Sequence, residues 1–98
     1  MIRHILFWKL REEYRTGEKR KEAEARLAAS VETLFPISGL HNAKIGPNLA
    51  GGEYDLVFYA ELDDMDALAA FRDHPLHVAH RDRCAALVTG RLAGDLEV

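Results

Sequence analysis

The sequence predicts an α+β domain in which a four-stranded antiparallel sheet carries all its helices on one face. Three observations lead there. The chain has 98 residues, enough to bury one modest core and too few for a second. Two strand-like runs, Ile2 to Leu10 and Tyr54 to Leu62, carry large apolar residues on both alternating faces, so each needs cover from two sides. Between and after them the apolar period lengthens to that of a helix, with Pro36 and Pro75 as breaks.

Along the first run Ile2, His4, Leu6, Trp8 and Leu10 point one way and Ile5 and Phe7 the other. From about Glu18 to Phe35, Ala23, Leu27, Val31 and Leu34 form a helical stripe, with Glu22 and Arg26 as an i,i+4 pair outside it and Pro36 as the stop. Ser38 and Gly39 turn the chain into a strand from about Leu40 to Ile45, which Gly46, Pro47 and Asn48 break. The Tyr54–Leu62 run reads as a central strand. Asp63 or Asp64 then caps a helix holding Leu68 and Phe71 that ends before Pro75. Pro75 starts a further helix to about Val88, with Gly90 as its terminator, and Arg91 to Val98 closes as a strand interrupted by Gly94. Two βαβ-like halves joined by a hairpin give a ferredoxin-like arrangement over residues 1–98, read as one domain.

Helices on one face leave the other face of the sheet bare. Ile5, Phe7, Val57 and Tyr59 would stand there in water unless a second copy covered them, so a homodimer closing into an α/β barrel is expected. The alternative is that these four are scattered surface apolars. The formal charge is −3, from thirteen basic and sixteen acidic residues interleaved along the chain, which argues against a nucleic-acid partner. No apolar run is long enough to span a membrane, and Arg3 and His4 interrupt the first one, so neither membrane nor signal peptide is expected. Cys84, the single cysteine, cannot form an internal disulfide and suits a cytoplasmic location.

Five histidines invite a metal reading, above all His74, His77 and His80. His74 precedes Pro75 and is pushed out of helical dihedrals, while His77 and His80 need a further ligand from elsewhere, so no metal and no cofactor is expected. His77, in the first turn of the helix started by Pro75, meets the positive end of the helix dipole, which favours a neutral ring able to act as a general base. The alternative is a histidine that only satisfies a local hydrogen bond. His4, on the strand face shared with Leu6 and Trp8, needs a partner if that face is buried; His77 from the helix side is one candidate, and the two are expected to face a common cavity between sheet and helices. Cys84 can line the same cavity or serve as a small buried hydrophobe. Arg3 reads as a solvated edge charge, and Tyr54 and Tyr59 as core or interface residues with a wet hydroxyl.

Several segments together carry a family likeness: Met1-Ile2-Arg3-His4-Ile5-Leu6-Phe7, Ile45-Gly46-Pro47-Asn48, Tyr54-Asp55-Leu56, His74-Pro75-Leu76-His77-Val78 and Asp95-Leu96-Glu97-Val98. In these the chain resembles the stress-responsive dimeric α/β-barrel (Dabb) family over nearly its whole length. The resemblance implies a homodimer with a small pocket between sheet and helices in each subunit. Similarity to members of the olivetolic acid cyclase type, which close a linear tetraketide thioester by aldol condensation, implies His77 as catalytic base and His4 as its support. Those members carry a pocket tyrosine where this sequence has Phe71.

The function expected from all this is binding of a small apolar or aromatic ligand by His4, Leu6, Trp8, Phe71, His74 and His77. A polyketide cyclase-like lyase using His77 is the alternative. A monooxygenase of the dimeric ferredoxin-like barrel type is a second alternative, resting on fold analogy.

Overall fold

Alternation in the first strand decides the architecture. In the computed structural model, which describes Met1 to Val98, β1 (Ile2–Leu10) buries Ile2, His4, Leu6, Trp8 and Leu10 and leaves Ile5, Phe7 and Lys9 half-buried on the other side. The short helical turn Glu12–Tyr14 leads into α1 (Gly17–Glu32). β2 (Leu40–Pro47), β3 (Leu56–Leu62), α2 (Met65–Asp73), α3 (Pro75–Ala85) and β4 (Val88–Glu97) follow. The strands form one antiparallel sheet in the order β2-β3-β1-β4, which is the ferredoxin-like topology.

β3 repeats the alternation of β1, burying Leu56, Phe58, Ala60 and Leu62, and sits in register with it: Leu6 lies opposite Phe58, Ile5 opposite Tyr59 and Phe7 opposite Val57. One face of the sheet is therefore continuous core. Ala23, Leu27 and Val31 of α1, Leu68 and Phe71 of α2 and Cys84 of α3 complete a cluster of 19 buried apolar residues. At roughly 25 cal/mol for each Å² of apolar surface removed from water, this layer supplies the main drive to fold.

Local signals set the helix ends. Asp64, not Asp63, caps α2, accepting from the Ala67 amide at 2.8 Å. His74 caps α3, its Nδ1 accepting from the Leu76 amide at 3.1 Å, and Pro75 takes the first helical position where no amide is needed. α1 stops at Glu32, short of the expected Phe35: the Thr33 and Leu34 amides donate to Ser30 and Val31 three residues back, Pro36 has no amide to continue the ladder, and Leu34 and Ile37 turn inward to be buried. β2 runs on to Pro47, which is tolerated on an edge strand, and β3 begins at Leu56, leaving Tyr54 in the preceding loop.

The largest departure from expectation is at Gly90. α3 ends at Ala85, and Gly90 lies inside β4 with φ +66°. Lys9 pairs with Thr89 and Phe7 with Leu92, so Gly90 and Arg91 together face Trp8. This is a β-bulge, and the left-handed backbone it requires is what glycine provides.

Candidate functional site

Between the core face of the sheet and α3 the fold leaves a cavity of about 660 Å³. Leu6, Trp8 and Phe58 line it from the sheet, and His77, His80 and Cys84 from α3. Arg72 and Asp73 at the end of α2, Arg81, and the bulge residues Thr89 to Arg91 form its exposed rim. The volume falls within the range that encloses a small organic molecule.

His77 is held from behind. Its Nδ1 lies 3.1 Å from the Arg72 carbonyl oxygen, which can only accept, so Nδ1 carries the proton and a neutral ring keeps Nε2 as a free acceptor. Burial lowers its pKa below the ordinary 6.5; the bond to Arg72 opposes that, and the charges of Arg81, His4 and Arg72 add to it. The neutral ring expected from the helix dipole is thus obtained chiefly by desolvation. Phe71 packs against it with ring centroids 4.6 Å apart.

His80 is 2 % exposed and belongs to a polar chain crossing from α3 to α1. Its Nδ1 lies 2.8 Å from Ser30 Oγ, to which Arg83 Nε donates at 2.9 Å, while Arg83 Nη2 donates to Thr33 Oγ1 at 2.9 Å. Burial, with repulsion from His77 and Arg83, pushes the His80 ring down to about 4. Cys84 Sγ is 3.5 Å from His80 Nε2, yet burial pushes the thiol up to about 11. Neutral imidazole beside neutral thiol is a packing pair, not an activated nucleophile.

His4 is equally buried and finds its partner on the neighbouring strand. Its Nδ1 donates to Asp95 Oδ1 at 2.5 Å, a contact set up by the β1–β4 register that places the two residues opposite each other. Arg72 Nη2 donates to the other oxygen of Asp95 at 3.3 Å. Arg72 thereby ties the two imidazoles together, reaching His4 through Asp95 with its side chain and His77 with its own carbonyl. The Phe58 ring sits 6.3 Å from His4 and 6.2 Å from His80, and His80 is 6.0 Å from His77, centroid to centroid.

Of the six residues expected to hold a ligand, Leu6, Trp8 and His77 line the cavity and the other three stand behind or beside it. His4 is turned onto Asp95, Phe71 is fully buried behind His77, and His74 is used as a helix cap. His80, Phe58, Asp95 and the rim arginines were not anticipated. The antiparallel pairing of the first and last strands is the signal that finds Asp95, because a buried His4 needs a partner directly across. His74, His77 and His80 do not converge, and no three His, Cys, Asp or Glu side chains are grouped so as to hold a metal ion.

On the opposite face of the sheet Ile5, Phe7, Val57 and Tyr59 form a half-buried patch, with the Tyr59 hydroxyl donating to Glu61 at 2.7 Å. Leu92, opposite Phe7, and Leu96, opposite Arg3, extend it and are 51 % and 58 % exposed. No helix of the chain is long and apolar enough to cross a membrane.

Sheet topology, one-sided helices and an interior cavity under α3 define a ferredoxin-like α+β protein with a recess between sheet and helices. The chain belongs to the Stress responsive A/B Barrel Domain (Dabb) family, whose model matches residues 2–98. Among solved structures it is similar to a dimeric protein of unknown function and ferredoxin-like fold from Bacteroides fragilis, at 27% identity and a TM-score of 0.81, covering 99% of this chain and 95% of that one. A dimeric ferredoxin-like protein of unknown function from Thermobifida fusca is also 27% identical, with a TM-score of 0.80 over 99% and 90% of the two chains. A Dabb family protein with a ferredoxin-like fold from Mesorhizobium loti is 26% identical, with a TM-score of 0.79 over 99% and 95%. No curated protein matches the chain.

Proposed function

We propose that the protein works as a homodimer and binds a small apolar or aromatic ligand in the cavity between sheet and α3. The observation that carries the reading is the lining itself: Trp8, Phe58 and Leu6 offer apolar and aromatic surface, and His77 presents an unprotonated Nε2. Apolar walls with a few fixed polar groups are what small-molecule sites are made of. The dimer is supported by the uncovered patch from Ile5 to Leu96 and by the dimeric state of the relatives from B. fragilis and T. fusca. The free, buried Cys84 suits a cytoplasmic setting.

A second reading, a cyclase-like lyase, is favoured by one observation. His77 Nε2 is available to take a proton from carbon next to a carbonyl, because Nδ1 is already committed to Arg72. Phe71 supplies no hydroxyl to polarise that carbonyl.

Trp8 is the only tryptophan and lines the cavity, so its fluorescence reports occupancy. A panel of small aromatic compounds is expected to contain members that shift or quench it saturably, and Leu6→Phe, which takes up space in the cavity without adding a second tryptophan, to weaken or abolish the response at a retained melting temperature. Absence of any saturable response across the panel would remove the reading.

A further inference from the structure

We infer that the ligand is an amphipathic monoanion, an aromatic or acyl body bearing one carboxylate, whose charge is held at the rim of the cavity by Arg81 and Arg91. The inference deepens the proposed ligand-binding role and rests on it. It starts from which charges on the rim are already satisfied. Arg11, Arg15, Arg20, Arg72 and Arg83 each donate to an oxygen of the protein. Arg81 and Arg91 line the cavity and make no such bond, while Arg3 and Arg26, also without one, are not among its lining residues. Arg72 is neutralised by Asp95, and Asp73 is the one carboxylate in the lining. Two free guanidiniums against one carboxylate leave a surplus of a single positive charge.

The interior fixes where that charge can be met. His77 and His80 are held neutral by burial, so nothing deep in the cavity compensates an anion, and an acid group carried past the rim would be desolvated without a partner. The apolar body therefore faces Trp8 and Phe58, and the head stays where guanidiniums can grip it bidentately.

Arg91 reaches the rim because of the bulge. Regular pairing onward from Lys9 and Thr89 would set Arg91 opposite Phe7, on the outer face; the extra residue at Gly90 sets it opposite Trp8, on the cavity face. Arg81 stands one turn beyond His77 on α3. The two cations thus come from separate elements, strand and helix, that border the same opening.

Calorimetry of the full chain with cinnamate, cinnamyl alcohol and phenyl phosphate tests this. Cinnamate is expected to bind at least about tenfold tighter than the alcohol, the scale of a charge-assisted pair, and to weaken as salt rises. In the R81Q/R91Q double variant, both exposed positions, cinnamate should fall to the level of the alcohol while the alcohol is unchanged. Equal affinity of acid and alcohol in the wild type, or an acid preference that survives the double substitution, overturns the inference and leaves the ligand-binding role standing. Phenyl phosphate binding well above cinnamate overturns the single-charge assignment. Binding of none of the three overturns this inference, and the aromatic panel read through Trp8 then decides separately whether the cavity binds anything.

Discussion

The His77 Nδ1–H donates to the carbonyl of Arg72 across the junction of α2 and α3, at 3.1 Å. That bond chooses the tautomer, and the tautomer decides what the cavity is offered. His77→Gln can keep an amide N–H toward the carbonyl but presents no basic nitrogen. If His77 is a base, turnover of a polyketide thioester should fall at least about 100-fold in the Gln variant, the usual weight of a general base, with the melting temperature little changed. If it only binds, no wild-type turnover is seen and ligand affinity changes instead.

Acid should destabilise the protein through His80. Its folded pKa of about 4 lies below the ordinary 6.5, so the stability it contributes is intact above pH 6.5 and is lost as pH falls through that value toward 4. By linkage the loss by pH 4.5 is about 2–3 kcal/mol. Urea unfolding at pH 7.5 and 4.5 measures it, with His80→Gln as the control whose pH dependence should be flatter over that interval. Equal slopes in the two proteins would show that His80 is not held neutral.

Val57→Lys places a charge in the middle of the uncovered sheet face, between Phe7 and its neighbours. Monomer or aggregate should replace the dimer in light scattering, because a lysine buried between two copies has no partner. A wild-type protein that is monomeric at micromolar concentration contradicts the proposed assembly directly.

Cys84, with its thiol pushed up to about 11 and buried, should react with a thiol reagent only when the protein opens. Labelling in native buffer is expected to be slow and to become immediate in denaturant. Rapid native labelling would mean that the cavity admits the reagent as far as α3.

Gly90→Ala forces a side chain into φ +66°, where the added Cβ would lie 3.4 Å from Lys9 Cδ. The lysine stem can move aside, so the cost is that of the backbone, about 1–2 kcal/mol. Denaturant titration reads it as a lower midpoint at unchanged slope. An unchanged midpoint would show that the bulge does not need glycine.

The elements whose burial is two-sided were legible in the sequence. β1 and β3 show large residues on both faces, and that pattern leads directly to a central pair and a bare outer face. Strand alternation and Pro75 fix the local setting of His4 and His77, but the common cavity expected for the two is lined by His77 and not by His4, which turns onto Asp95 instead. What was not legible depends on partners far along the chain. Gly90 looks like a helix terminator until the pairing of β4 with β1 shows two residues facing one, and the same pairing is needed to see that Asp95 belongs to His4. Arg72, Arg81 and Arg91 are three scattered charges in sequence, and only packing α2, α3 and β4 around one opening brings them together. The spacing of His80 from His77 is conspicuous and suggests a metal ligand, whereas the partner that the fold gives it is Ser30, fifty residues away.

The doubled pairing opposite Trp8 also determines where this chain can change length. Because Gly90 is the surplus residue of its strand, deleting it returns β4 to regular pairing and leaves Arg91, Leu92 and Asp95 on the faces they now occupy. A residue inserted between Leu92 and Asp95 has no such slack: it turns Asp95 away from His4 and drives Leu96 inward. Insertions and deletions in descendants of this sequence are therefore expected to accumulate at position 90 and to be purged from the rest of β4.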